Sequence, residues 1–194
     1  MTALVLATRN EHKRREFARL LPGVRVEALP DDVELPPETG ETFAANALPK
    51  ARAAARAVGR PAIADDSGIE AAVLGGDPGV RSARFAGEGA TDAENLAKLR
   101  AEAPPGSGLA YVCALAYVDP AGGEHVFEGR CEGVMSAQAR GARGFGYDPV
   151  FVPAGDGHQR TMAELSDAEK DAISHRGRAT RPLAAWLRER GSAR

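Results

Sequence analysis

Asp65 and Asp66 stand side by side where a short apolar run, Pro61 to Ala64, meets Ser67-Gly68. Adjacent carboxylates repel unless one is protonated or a cation lies between them, and a strand end delivers them to a cleft rather than to bulk water. Such a pair is how a chain holds a divalent metal beside a phosphate. An acidic turn punctuated by Ser and Gly has the same composition, so the reading depends on the other groups that could act with the pair.

The lysines are the next signal. Of 25 basic residues 21 are Arg, and lysine occurs at Lys13, Lys50, Lys98 and Lys170 alone. A chain that uses Arg for generic positive charge keeps Lys where a compact ammonium serves better than a planar guanidinium, as a point-charge phosphate ligand. Lys98 falls on an ordinary polar helix face. Lys13 follows Thr8-Arg9-Asn10, with Asn10 as helix N-cap, and together with Arg14 and Arg15 it opposes the helix dipole at about a few tenths of a kcal/mol each. An anion bound there would reverse that cost, and the amides of the Thr8 to Lys13 turn would add donors; a solvated basic turn is the alternative.

With Glu38 joined to Asp65 and Asp66, the carboxylates suit Mg2+, which takes one or two of them plus phosphate oxygens and waters at about 2.0–2.1 Å. Lys13 and Lys50 would neutralise phosphate oxygens from the opposite side. No Gly-x-x-x-x-Gly-Lys-Ser/Thr sequence is present, so this is not a P-loop. Phe145 and Tyr147, in Gly144-Phe145-Gly146-Tyr147-Asp148-Pro149, are candidates to stack on a base with Asp148 nearby, or to pack into the core. His175 and Arg176 supply donors of the kind a purine with a carbonyl at position 6 needs, whereas adenine would set a donor against a donor.

These groups need a frame. Leu4 to Ala7 reads as a buried strand, and Phe17, Leu20 and Leu21 recur at helical spacing after Asn10. Phe43 to Val58 reads as a helix stopped by Gly59, with Pro49 expected to kink or break it beside Lys50. Pro61 to Ala64 is a strand ending at an Asp-Asp turn, and Thr91 to Glu94 is a capping box. Leu109–Val118 and Glu124–Val134 form a hairpin across Asp119-Pro120-Ala121-Gly122-Gly123. Residues 140–157 are rich in glycine, Thr161 to Glu164 and Ser166 to Glu169 start helices, and a last helix spans Leu183 to Arg190. Strands alternating with helices indicate an α/β fold with a mixed sheet.

The totals narrow the classes. The 194 residues suffice for one domain, expected over 1–194, with a core needing no staple. A net charge of -2 gives no basic field for a nucleic-acid backbone, so no nucleic-acid partner is expected. Cys113 and Cys131 have no Cys or His cluster around them and read as buried thiols of a reducing compartment. No apolar stretch approaches 18 residues, so no membrane association and a cytoplasmic location are expected.

Read together, the segments closely resemble the inosine/xanthosine triphosphate pyrophosphatase family, nearly end to end. Thr8, Asn10 and Lys13 match its Thr-x-Asn-x-x-Lys, Glu38 to Gly40 its Glu-Thr-Gly, and Asn46 to Ala51 its Asn-Ala-x-x-Lys-Ala. Asp65 to Gly68 with Pro78 to Arg84, Gly144 to Pro149, and Glu169 to Gly177 match the remaining motifs. The resemblance implies hydrolysis of non-standard purine nucleoside triphosphates (dITP, ITP, XTP) to monophosphate and pyrophosphate. It implies Mg2+ on Glu38, Asp65 and Asp66, and Asp66 as proton acceptor. The substrate contacts it implies are Thr8, Arg9, Asn10, Glu11, His12, Lys13, Lys50, Ser67, Phe145, Gly146, Tyr147, Asp148, Lys170, His175 and Arg176. It further implies a homodimer and an elongated α/β fold, a mixed β-sheet flanked by helices in two lobes with a central active-site cleft. Arg81 departs from the family, standing where an aromatic or aliphatic residue is common, and Pro49 is unusual before the phosphate-site lysine.

Three other classes share part of the pattern: a pyrimidine-directed pyrophosphatase on a related fold, a nucleotide sensor without turnover, and a nucleic-acid binder suggested by the Arg-rich C-terminal helix. Residues 145–148 with His175 and Arg176 favour a purine, the paired carboxylates favour turnover, and the net charge disfavours nucleic acid.

Overall fold

Six strands form one mixed sheet in the order β2-β1-β3-β4-β5-β6 in the computed structural model, which describes residues 3–154 and 159–192. The strands are β1 (Ala3–Leu6), β2 (Arg25–Ala28), β3 (Ala62–Ala71), β4 (Gly108–Val118), β5 (Glu124–Met135) and β6 (Phe151–Pro153). The helices are α1 (Glu11–Leu20), α2 (Phe43–Val58), α3 (Asp92–Glu102), α4 (Asp167–Ile173) and α5 (His175–Ser192). β1 pairs in parallel with β2 and β3, and β5 pairs antiparallel with β6, so the expected mixed sheet and α/β class are what the chain adopts. Among the described residues no helix is long and apolar enough to cross a membrane.

The chain divides into two compact units: residues up to Asp66 with Cys113–Gly129 and Arg176 onward, and Ser67–Val112 with Arg130–His175. β3, β4 and β5 each contribute residues to both.

In the first unit, Leu4 and Leu6 of β1, Phe17 of α1, Ile63 of β3, Leu115 of β4 and Leu183 of α5 form one core cluster. Each such side chain, fully buried, contributes roughly 1.5–3 kcal/mol. Asn10 caps α1 as expected, its Oδ1 accepting from the amides of His12 and Lys13 at 2.9 and 3.1 Å. α2 starts at Thr42, which accepts from Ala45 N, and stops at Gly59 in the left-handed conformation. Of the kink or break expected at Pro49, the break does not occur: the helix runs on through it. The defect lies on its open side, where Pro49, Arg52 and Arg56 line a surface groove of about 540 Å3 with residues 34–37. The face away from it buries Phe43, Asn46, Ala47, Lys50, Ala51 and Ala54, and that packing carries the helix through.

β3 departs further from expectation. The Asp65-Asp66-Ser67-Gly68 segment is no turn; it lies inside a ten-residue strand whose residues are nearly all buried. α5 likewise begins at His175, eight residues before the expected Leu183, and contains Pro182. Ala179, Leu183 and Leu187, one turn apart along it, enter the core and hold the early turns helical.

The second unit packs around Ile69, Leu99, Leu109, Tyr111, Phe151 and Met162. The capping boxes at Thr91/Glu94, Thr161/Glu164 and Ser166/Glu169 form as expected; the last holds the Glu169 carboxyl down at about 2 through the Ser166 amide and hydroxyl and Arg160. Gly133 of β5 leaves no room for a side chain, since a Cβ there would lie 2.5 Å from Val152 O and 2.7 Å from the Phe151 ring. Arg81, read in the sequence as a departure from the family pattern, pairs with Asp77 at 2.7 Å on the exposed surface. Residues 155–157, the end of the glycine-rich stretch read in the sequence, lie outside the described residues.

Candidate active site

Asp65 and Asp66 alternate across β3 and meet different environments. Asp65 is fully buried, and its Oδ2 receives Lys13 Nζ at 3.0 Å and Arg176 Nε at 3.3 Å. Burial by itself would raise its pKa; Lys13, Arg176 and Lys50 outweigh that and hold it well below the usual carboxylate range. Arg176 is buried too, and its Nη1 donates to Glu16 Oε2 at 2.9 Å. Burial disfavours its charge, yet Glu16 and Asp65 more than compensate and fix the guanidinium as a cation. Lys13, Asp65, Arg176 and Glu16 thus form one alternating chain of charges.

Asp66 goes the other way. Burial raises it, the Glu38 carboxylate raises it further, and Lys50 and Asn46 pull it back without cancelling the rise. Asn46 Nδ2 donates to Asp66 Oδ2 at 2.9 Å. Lys50 Nζ, despite the proline before it, donates to Glu38 Oε1 at 2.5 Å and to the backbone oxygen of Asp65 at 2.8 Å. A free Asp titrates near 3.9, too acidic for an efficient base at neutral pH, and the Asp66 environment moves it in the useful direction.

Among the described residues no three His, Cys, Asp or Glu side chains group as a metal cage. The donor set nevertheless suits Mg2+, which needs only one or two carboxylates and draws its remaining ligands from phosphate and water. Glu38 and Asp66 repel each other, and a divalent cation shared by them would relieve that repulsion; Lys50 pairs with Glu38, while Asp65 is engaged by two cations, Lys13 and Arg176.

The Thr8 to Lys13 segment is built differently from the open donor turn expected. Thr8 Oγ1 accepts from Asn10 N at 3.2 Å, and the His12 and Lys13 amides serve the Asn10 cap. Glu11 pairs with Arg14. Arg9 donates to the carbonyls of Leu29, Pro30, Asp31 and Val33 at 2.8–3.2 Å, pinning the start of the segment that leads to Glu38. The Lys13 side chain reaches the acidic pair at Asp65 Oδ2.

In the second unit the candidate base-reading residues form their own cluster, around Asp148. The left-handed turns at Gly144 and Gly146 fold the loop back so that Asp148 Oδ2 accepts from Phe145 N at 3.0 Å, and Lys170 Nζ reaches the same oxygen at 2.7 Å. A Cβ at Gly144 would lie 2.0 Å from that oxygen. The Lys170 ammonium lies 5.3 Å from the Phe145 ring centre, within cation–π range. Gly146 N donates to Asp92 at the start of α3 at 3.0 Å, and Tyr147 turns inward, donating from its hydroxyl to Ser82 O at 2.7 Å. Tyr147 is therefore a buried anchor of the loop rather than an open stacking surface, and the half-buried Phe145 is left as the base-stacking candidate. His175 is buried against the Tyr111 ring, and Ser67 is half-buried on β3. Arg176, expected beside His175 as a second base donor, belongs to the charge chain of the first unit.

Sequence reasoning gave no role to Asn46, Glu16, Asp92 or Tyr111. Asn46 and Lys50 stand four apart on one face of α2, and Lys13 and Glu16 three apart on α1, a spacing that marks both pairs as neighbours. Tyr111 in an apolar strand carries no such mark.

A profile of the Ham1 family matches residues 4–186. The chain belongs to the Ham1 family. A dITP/XTP pyrophosphatase of Frankia alni is 53% identical over 199 residues, covering 96% of this chain and 97% of that one. A dITP/XTP pyrophosphatase of Streptomyces avermitilis is 47% identical, covering 97% and 98%. The structure of a HAM1 protein from Coxiella burnetii superposes with a TM-score of 0.85 at 40% identity, over 97% of this chain and all of that one. The Ham1 fold therefore carries both clusters described above.

Proposed function

We propose that this Ham1 protein hydrolyses non-standard purine nucleoside triphosphates, dITP, ITP and XTP, to the nucleoside monophosphate and pyrophosphate, with Mg2+, as one pyrophosphatase domain over residues 1–194. That it is a hydrolase of the pyrophosphate bond rests on its family and on identity to pyrophosphatases of named substrate along nearly its whole length. The observation that carries the chemistry is Asp66, a buried carboxylate with raised pKa facing Glu38, with Lys50 beside it and Lys13 on its neighbour Asp65.

In this reading Asp66 takes a proton from the water that attacks the α-phosphorus in line, and pyrophosphate leaves. Mg2+ held by Glu38 and Asp66 would supply charge neutralisation at the phosphate oxygens. Lys13 and Lys50 stabilise the negative charge that grows on the leaving group. Asp65, held ionised by Lys13 and Arg176, keeps Lys13 aimed. The cluster around Asp148 and His175 takes the 6-oxo base. A homodimer in the cytoplasm, with neither nucleic acid nor membrane as partner, completes the proposal.

The test is a panel of dITP, ITP, XTP, dGTP, dATP and dTTP, each incubated with Mg2+ or with EDTA and resolved for nucleotide and phosphate products. Monophosphate plus pyrophosphate from the first three, suppressed by EDTA, supports the reading. Diphosphate with single phosphate, a preference for dTTP, or binding without turnover overturns it.

A further inference from the structure

Resting on the substrate reading above, we infer that Tyr111 is a positioning residue for base selection, aligning the two groups of the second unit that read the purine. Tyr111 lies on β4 and is buried. Its ring stacks on His175 with centroids 4.7 Å apart and planes 12° apart, and its hydroxyl donates to Asp148 Oδ1 at 3.1 Å. One side chain therefore fixes both the plane of the imidazole and one edge of the carboxylate, although His175 and Asp148 lie on separate segments.

The geometry bears on selectivity more than on turnover. Asp148 Oδ2 is taken by Lys170 and by the Phe145 amide. The hydroxyl of Tyr111 is the donor on the other oxygen, so it sets the rotation of the carboxylate about its last bond. Stacking nearly parallel to a phenol ring fixes the plane in which the imidazole N–H groups point. Hypoxanthine and guanine both carry the 6-carbonyl and differ at position 2. Telling them apart depends on angular placement of polar groups within a fraction of an ångström. Phe151 also packs against Tyr111, with ring centroids 4.5 Å apart and planes 35° apart, and takes part in neither of the two polar contacts above.

The experiment compares wild type, Tyr111→Phe, Tyr111→Leu and Phe151→Leu for kcat and KM on dITP and dGTP, with thermal unfolding of each. Tyr111→Phe keeps the stack and loses the hydroxyl; its expected effect is a KM for dITP raised about three- to tenfold, kcat within about twofold, and a dITP-over-dGTP preference reduced about tenfold. Tyr111→Leu loses both contacts and is expected to discriminate still less. Phe151→Leu is expected to unfold at lower temperature with its preference unchanged, which separates selection from core packing. An unchanged preference in Tyr111→Phe, or an equal loss in Phe151→Leu, overturns the inference while leaving the pyrophosphatase reading standing. A wild-type protein that does not turn over dITP overturns that reading, and this inference with it.

Discussion

Asn46 clamps Asp66 from α2: its Nδ2 donates to Asp66 Oδ2 at 2.9 Å while its Oδ1 accepts from Gly40 N at 2.7 Å. One amide thus ties the strand carrying the acidic pair to the loop carrying Glu38. Gly40 has no room for more, since a Cβ there would stand 2.8 Å from both the Ala45 Cβ and the Asn46 Oδ1.

Asn46→Ala removes a hydrogen bond that lowers the Asp66 pKa, so that pKa rises further. The acidic limb of the kcat/KM profile for dITP should then shift to higher pH, and stability in urea should fall by about 1–3 kcal/mol as Gly40 N and Asp66 lose a partner. A limb that stays in place would separate Asp66 from the base role.

Asp66→Asn keeps the size of the side chain and removes its basicity. Turnover of dITP should drop at least about a hundredfold, in the range general-base catalysis supplies, while nucleotide binding in Mg2+ is retained within a few fold. Nearly full turnover would strip Asp66 of both its proposed roles, base and ligand.

The pH dependence of stability should carry the mark of Asp65. Its folded-state pKa is depressed, so it binds protons less readily folded than unfolded. Its contribution is fully present above the unfolded value of about 3.9 and is lost as pH falls below that. Asp65→Asn should flatten the decline of unfolding free energy below pH 4 and lower the plateau at pH 7; a slope identical to wild type would remove Asp65 as its source.

Glu16→Ala leaves the buried Arg176 guanidinium with Asp65 as its remaining carboxylate on this chain of charges. Losing one member of a buried ion pair costs about 3–5 kcal/mol, and chemical denaturation should show a loss of that order. A loss under about 1 kcal/mol would place Glu16 among ordinary surface pairs.

What the sequence disclosed was local. The capping box at Thr91, the Asn10 cap and the Asp119 to Gly123 hairpin turn, closed by Asp119 N to Gly123 O at 2.8 Å, each rest on hydrogen bonds between near neighbours. β3 did not disclose itself, because Asp-Asp-Ser-Gly has the composition of a turn. Sheet pairing keeps it extended, and Asp65 can be buried there because it pairs with Lys13 and Arg176, the latter 111 residues away along the chain. Pro49 misled for the same reason: a local breaker was overruled by a helix face that packs into a core. At the site, Asp65, Asp66, Glu38, Lys13 and Lys50 were legible as types that must meet, but the division of labour between the two aspartates depends on burial and distant partners. The inward turn of Tyr147 and the commitment of Arg176 were hidden in the same way.

The two cysteines fall one in each compact unit, Cys113 in the first and Cys131 in the second, and both are buried. Burial raises the Cys113 thiol far above its ordinary range, with nearby Asp65 adding to the rise, so the reactive thiolate forms only when that core opens. The chain thereby carries a separate reporter for the local opening of each unit. Alkylation rates at the two sulfurs, followed with and without nucleotide, would measure how much each half of the molecule is tightened by its ligand.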